Sequence, residues 1–314
     1  VNLGFRFDYP SRIPLYFQGS FNYNGFDYNT FNTNFFFEDL KPAYIEEDEL
    51  NFRFDVGIPY SINGVIKGGL GIGRNRDIYY MTKDFTSEDT SEVSMVNLLS
   101  MYVATERNTL NNKQFATEGT FRKLGLRWGY GIESYEPGST ALTDENNTLN
   151  FFWVTGRYEN KGYIPIKGAF SLGYHSVIHA TFKPLLNNYY STIIEAPAFR
   201  PNIITKALFM EQYRAYQYIA GGIMPLYSFS EQLYAKAEAY AFFPVQQILR
   251  DANNDAYKGT YFNSMKTIFS ASFNWISVAG PVSFHVGYIT EEENPWVIQL
   301  SFGYLLFNKR STTL

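Results

Sequence analysis

Apolar and polar residues take turns along most of this chain. From Val1 to Tyr9, Val1, Leu3, Phe5, Phe7 and Tyr9 share one face, and Asn2, Gly4, Arg6 and Asp8 share the other. A repeat of two is the period of a β-strand, whose successive side chains point to opposite faces. Ile13 to Tyr23 repeats it, with Ile13, Leu15, Phe17, Phe21 and Tyr23 against Gln18, Ser20 and Asn22. So does Leu50 to Tyr60, where Leu50, Phe52, Phe54, Val56, Ile58 and Tyr60 oppose Asn51, Arg53 and Asp55. Near the end, Trp296, Ile298, Leu300, Phe302, Tyr304 and Leu306 oppose Gln299, Ser301 and Gly303. Less regular segments at about 31–42, 64–77, 93–107, 119–134, 148–158, 165–179, 214–227, 231–245, 260–278 and 281–291 bring the count to fourteen strands.

Length and chemistry of these segments set the fold class. Many reach the nine or more residues that a tilted strand needs to cross a bilayer, whereas strands of soluble proteins average about 5–6. The polar faces carry Gly, Ser, Asn and single charges, as a wet interior requires. The apolar faces are rich in Phe, Tyr and Trp near strand ends, like the aromatic girdles of outer-membrane barrels. A soluble sandwich of this length would need two cores. The expectation is an all-β chain, one transmembrane antiparallel β-barrel over residues 1–314.

Composition narrows the function classes. Aromatic residues make up 19% of the 314 residues, while the mean hydropathy of −0.24 is too low for a helical membrane protein. The longest charge-free stretch, Thr267 to Thr290, is interrupted by Ser270, Ser272, Asn274, Gly280 and Pro281, so it does not read as a spanning helix. A net charge of −4 gives no footprint for nucleic acid. The absence of cysteine removes disulfides, thiolate metal sites and thiol nucleophiles. No signal-peptide pattern opens the chain.

Connection lengths orient the barrel. The turns at about 78–92, 135–147, 180–213 and 246–259 are long, and those at 61–64, 159–164, 228–230 and 279–280 are short. Outer-membrane barrels have long extracellular loops and short periplasmic turns. This predicts that the long set is extracellular and that both termini are periplasmic. The turn around Asn108 to Glu118 is long for its side.

That turn, TERNTLNNKQFATEG (Thr105 to Gly119), resembles the D-x-R-x-N…P-T-x-G turn of the Bam, Tam and two-partner-secretion barrel superfamily, with Ala116 where the family often has Pro. EQYRAYQYIAGG (Glu211 to Gly222) resembles the family's sixth extracellular loop, whose V-R-G-F/Y tip folds back into the barrel. Arg214 and Tyr216 hold the Arg and aromatic positions, Tyr213 replaces Val and Ala215 replaces Gly. Five strands follow this loop in the family and in the count above. The stretch HSVIHATFKPLLNNYYSTIIEAPAFRP through YAKAEAYAFFP is similar to the barrel half of bacteroidete patatin-like proteins. The resemblance implies sixteen strands, an upstream hydrolase and periplasmic modules outside this sequence, and a loop around 180–213 inserted as a plug. WVIQLSFGYLLF (Trp296 to Phe307), with Trp296, Phe302, Tyr304 and Phe307, resembles the C-terminal assembly signal of outer-membrane strands.

Candidate chemistry is sparse. Lys236 and Glu238 share the even face of their strand, which makes that face the lumen and sends Ala235, Ala237, Ala239 and Ala241 to lipid. The resemblance pairs the loop arginine with an acidic lumen residue, so Arg214 and Glu238 are expected to form a bidentate pair. His175 and His179 lie four apart on one strand face, about 13 Å apart at a rise near 3.3 Å per residue. That is too far to ligate one metal, and His285 is isolated. The motif G-x-S-x-G is absent; Ser171 in GAFSLG is one place late. GGLGIGRNR (Gly68 to Arg76) lacks the ending of a phosphate loop. The expected role is an outer-membrane translocator or anchor, without cofactor, metal or enzymatic activity. Its expected partners are lipopolysaccharide and phospholipid, with other subunits of an outer-membrane complex. The alternative is a passive pore for small solutes.

Overall fold

The computed structural model describes residues 1–9, 12, 14–28, 44–82, 84–142, 145–292 and 294–304. Thirteen strands form one antiparallel sheet in the order of the chain: β1 (Asn2–Tyr9), β2 (Leu15–Tyr28), β3 (Ile45–Ser61), β4 (Gly64–Tyr79), β5 (Glu92–Asn108), β6 (Thr120–Glu136), β7 (Asn147–Lys167), β8 (Phe170–Phe182), β9 (Gln217–Ser228), β10 (Leu233–Pro244), β13 (Lys266–Ser277), β14 (Gly280–Ile289) and β15 (Trp296–Phe302). β11 (Gln246–Arg250) and β12 (Ala256–Tyr261) form a separate hairpin in the loop after β10. Two short helices, α1 (Tyr189–Ile194) and α2 (Ile203–Lys206), lie between β8 and β9.

Burial is inverted relative to a soluble protein. On β3, Leu50, Phe52 and Phe54 are exposed, whereas Asn51, Arg53 and Asp55 are buried. On β13, Phe269, Phe273 and Trp275 are exposed, and Ser270, Ser272 and Asn274 are buried. The parity read from sequence therefore holds, with the apolar face outward. An exposed apolar face of this extent needs an apolar solvent, while the buried polar face carries cross-strand side-chain bonds such as Asn22–Asn51 at 3.1 Å and Ser94–Glu133 at 2.8 Å.

The sheet is rolled. Tyr213 and Arg214 are adjacent in sequence, yet Tyr213 Oη donates to the carbonyl of Thr267 on β13, and Arg214 bonds Glu47 on β3. One point on the segment between β8 and β9 thus touches strands near opposite ends of the sheet order. Among the described residues no ladder joins β1 to β15.

Several expectations need correction. The segment at 31–42 lies outside the described residues, and β2 pairs directly with β3, Tyr28 facing Ile45. Among the described residues the main sheet has thirteen strands, against the fourteen counted and the sixteen implied by the resemblance. The turn after β1 then falls at the short-turn end, and β1 and β15 run in the same direction. The chain's start is therefore not at the short-turn end: Asn2 faces Asn22, part-way along β2. The expected turn at 159–164 is strand. β7 continues through Lys167 and pairs with β8 from Val154–Phe182 to Lys167–Phe170.

Thin places in the wall are covered by rings. Trp153 on β7 lies across Gly129 of β6, where an added Cβ would meet the indole at 2.1 Å, and Phe151 covers Gly131 in the same way. At the long-loop end, Asp89 ties the loop after β4 to the loop after β6. It accepts from the Thr86 amide at 2.8 Å and from Ser139 Oγ at 2.9 Å. These bonds hold its carboxyl below the usual carboxylate range, the Thr86 backbone bond contributing most.

Candidate functional site

The site is the segment from Lys183 to Tyr216, which connects β8 to β9 and packs against the polar face of the sheet. Its two helices are too short to persist alone and are held by their caps. Asn188 Oδ1 accepts from the Ser191 amide at 2.9 Å, capping α1, while its Nδ2 donates to Tyr79 Oη of β4 at 2.7 Å. Asn202 repeats the device. Its Oδ1 accepts from the Thr205 amide at 3.1 Å, and its Nδ2 donates to Glu238 Oε2 and Ser270 Oγ, each at 3.0 Å. Each asparagine spends its acceptor on the helix and its donors on the barrel wall.

Arg214 organises the long-loop end. Its Nη1 donates to the carbonyls of Ile193, Ile194 and Ala196, just where α1 ends. A cation there meets the negative end of the helix. Its Nη2 reaches Glu47 Oε1 at 3.4 Å with both side chains fully buried. Phe209 lies flat beneath the guanidinium, 4.2 Å from ring centre to Cζ. Glu47 faces Asp77 across the β3–β4 ladder, and Glu49 faces Asn75. All four are buried. Like charges facing each other across a ladder repel, so this acidic wall calls for cations. The segment supplies them: Arg214 to Glu47, and Lys183 to its own Glu195 at 3.7 Å. Glu195 also accepts from Asn75 Nδ2 at 2.6 Å.

The expected Arg214–Glu238 pair is not what the structure contains. Glu238 accepts from Lys236 Nζ at 2.6 Å and Ser270 Oγ at 2.8 Å, together with Asn202. The reason is height. Glu238 lies beside the residues around Met224 of β9, judged from its neighbours Lys236–Leu226 and Ala239–Ile223. That is about seven residues below Gln217, or roughly 23 Å along the strand, whereas Arg214 precedes the strand altogether.

The other motif residues fall around Arg214. Tyr213 is fully buried, its ring packed on Phe242 at 5.7 Å. Ala215 is also fully buried, and its amide donates to the Pro197 carbonyl at 3.2 Å. Arg214 and Ala198 form an antiparallel bridge, so the segment doubles back on itself. Tyr216 Oη donates to the Pro184 carbonyl at 3.0 Å.

The remaining candidates separate into wall positions. His175 contacts Glu159 at 3.2 Å, Glu159 binds Arg157 at 2.9 Å, and Arg157 reaches Tyr218 Oη at 3.2 Å. His179 stacks on Tyr218 and contacts Thr181. Ser171 shares the inner face of β8 with His175. Among the described residues no group of three or more His, Asp or Glu is placed to hold a metal. Trp296 and Phe302 face outward on β15 and are exposed, as is Tyr304; Phe307 lies outside the described residues.

The turn from Thr109 to Gly119 closes on itself and leans across the short-turn end. Asn111 Oδ1 accepts from the amides of Thr117 and Glu118, at 3.1 Å and 3.3 Å. Gly119 has φ +88, and an added Cβ there would lie 2.1 Å from the Thr109 carbonyl oxygen. Ala116 is buried in one cluster with Tyr163 and Tyr234, and Tyr234 Oη donates to the Phe115 carbonyl at 3.3 Å. The Phe115 ring meets Tyr304 edge-on at 6.4 Å, beyond the end of β15.

No protein-family profile matches this sequence, and no curated protein does. Among solved structures, the chain is similar to BamA from Haemophilus ducreyi lacking POTRA domains 1–3. The TM-score is 0.55 at 14% identity, over 95% of this chain and 60% of that one. The chain thus spans about 60% of the BamA structure it matches, and the likeness concerns the barrel fold. Weaker likenesses join it to the translocator domain of the autotransporter NalP from Neisseria meningitidis and to the transport unit of the autotransporter AIDA-I from Escherichia coli. For NalP the TM-score is 0.35 at 8% identity, over 80% of this chain and 76% of that one. For AIDA-I it is 0.37 at 12%, over 81% of each. At those scores they say nothing further about the fold.

Proposed function

We propose that this chain is a bacterial outer-membrane barrel acting as the translocator or anchor part of a larger protein, with the segment between β8 and β9 lodged in its lumen as a plug. The observation that carries the reading is the set of bonds from that one segment to the inner wall. Asn188 holds β4, Arg214 holds β3, Asn202 holds β10 and β13, and Tyr213 holds β13. Asn187 adds β6 by donating to Glu133 at 2.9 Å. A loop that merely lined a solute pore would not need to bind strands on every side.

In this reading the long loops are extracellular and the exposed aromatic face contacts phospholipid and lipopolysaccharide. The chain itself has no assigned reaction. The similarity of His175 to Pro201 and of Tyr234 to Pro244 to patatin-like proteins supports the finer proposal that a hydrolase is encoded in the same gene. A G-x-S-x-G elbow there would favour it, and tandem periplasmic modules alone would favour a Bam- or Tam-like factor.

Conductance of the purified chain in planar lipid bilayers tests the reading. The expected result is a mostly closed barrel that opens when residues 197–212 are deleted. A steady open channel in the intact chain overturns the plug and favours the passive pore.

A further inference from the structure

At the short-turn end of the β5–β6 ladder two cations stand directly opposite one another. Arg107 on β5 faces Arg122 on β6, the last pair on the outer face before the turn from Thr109 to Gly119. The pairs before it on that face are Met101–Trp128, Val103–Leu126 and Thr105–Leu124. Met101, Val103, Leu124, Leu126 and Trp128 are exposed. The two arginines, exposed as well, therefore sit where the apolar face ends.

Their ladder neighbours carry no carboxylate. Arg107 has Gly64 of β4 on its other side, and Arg122 has Asn160 of β7. Glu106, next to Arg107 in the chain, points to the inner face and binds Lys67 at 2.9 Å. Among the described residues neither guanidinium makes a hydrogen bond or an ion pair. Like charges opposed across a ladder repel, and an anion shared between them removes the repulsion. Two tyrosines mark the depth. Tyr60 of β3 lies across Gly64, where an added Cβ would meet its ring at 2.4 Å, and Tyr158 of β7 faces Leu124. Both are exposed, and tyrosine is enriched at the level of lipid headgroups.

We propose that Arg107 and Arg122 together bind the phosphodiester of an anionic phospholipid, whose acyl chains run along Val103, Leu124 and Leu126. The inference rests on the membrane reading above. Each planar fork can donate two parallel bonds to phosphate oxygens. A zwitterionic lipid offers the same phosphate but brings its own cation, so a headgroup of net negative charge is preferred.

The test uses the full chain in an uncharged detergent, mixed with equal amounts of dioleoyl-phosphatidylglycerol and dioleoyl-phosphatidylcholine and read by native mass spectrometry. The expected result is one phosphatidylglycerol retained in preference to phosphatidylcholine. Arg107→Gln and Arg122→Gln should each lower that preference roughly fivefold. Because one headgroup needs both arginines, the double variant should lose little more than either single one. Each variant relieves a repulsion, so folding is not endangered. Equal retention of the two lipids by the parent overturns the proposal. So does a double variant whose loss is the product of the two single losses, the mark of separately hydrated arginines. Displacement of the lipid by equimolar sodium phosphate overturns the lipid assignment in favour of a free anion. Insertion into vesicles keeps the two readings apart. A chain that enters phosphatidylcholine vesicles but shows no preference overturns this site alone; one that enters vesicles of neither lipid overturns the membrane reading and this site with it.

Discussion

Replacing Arg214 with methionine keeps most of the side-chain volume and removes its charge. The loss falls on a fully buried ion pair with Glu47 and on three carbonyls at the end of α1. Taking one partner out of a buried pair costs about 3–5 kcal/mol, because the other charge is left without compensation. Here the effect is compounded, since Asp77 stands across the ladder from Glu47. At about 1.4 kcal/mol per factor of ten, the ratio of displaced to seated segment should rise roughly 10²–10⁴-fold. Two assays read this change: open probability in planar bilayers, and protease cleavage between residues 197 and 212 in folded protein. Adding Glu47→Gln should restore part of the loss, because it removes the buried negative charge that Arg214 faces. An Arg214→Met barrel as quiet as the parent, with the segment equally resistant to protease, would refute the role given to this pair.

Three further outcomes follow from the geometry. Leu99 lies half-way along β5 on the outer face, so Leu99→Arg should destabilise the barrel in lipid vesicles by about 2–4 kcal/mol in urea titrations, the cost of a cation at the bilayer midplane. An unchanged midpoint there would count against the membrane placement. Gly129→Val drives a side chain into the Trp153 indole and should cost about 1–3 kcal/mol, whereas Gly68→Ala, whose nearest contact would be 3.4 Å, should change the thermal midpoint little. The Asp89 latch should open in acid. Its folded carboxyl is held below the ordinary value of about 3.9, so its stabilisation is complete above that value and is lost as pH falls through the lower folded one. Amide protection factors in residues 84–90 and 138–140, each rate divided by its intrinsic value at that pH and compared with Asp89→Asn, follow this directly, and protection that falls toward neutral pH instead would contradict it.

Which face of each strand points outward was legible in the sequence, because a period of two cannot slip by one residue without turning every Phe inward. Phe52 against Arg53 and Phe273 against Ser272 are cases in point. Where strands end was less legible. The run Tyr158-Glu-Asn-Lys-Gly162 reads as a polar turn, yet a wet interior accepts Glu159 and Lys161 in mid-strand. The hairpin β11–β12 was hidden for the opposite reason: its strands are short and lie in a polar loop. Arg214 was singled out in the sequence, but Glu47, the carboxylate it contacts, was not. Alternation fixes the side of the sheet a residue faces and carries no information about depth along the axis, so every inward carboxylate remained a candidate. Glu47 became recognisable only once the β3–β4 register set it beside Asp77 at the level of α1.

The indole laid across Gly129 has a practical consequence. Of the four tryptophans, Trp128, Trp275 and Trp296 are exposed on the outer face of the sheet, while Trp153 is turned inward and is 6% exposed. Quenchers dissolved in the hydrocarbon, such as brominated lipids, reach three of them and spare the fourth. The residual emission then belongs to a single fluorophore, a native reporter on the interior that requires no label.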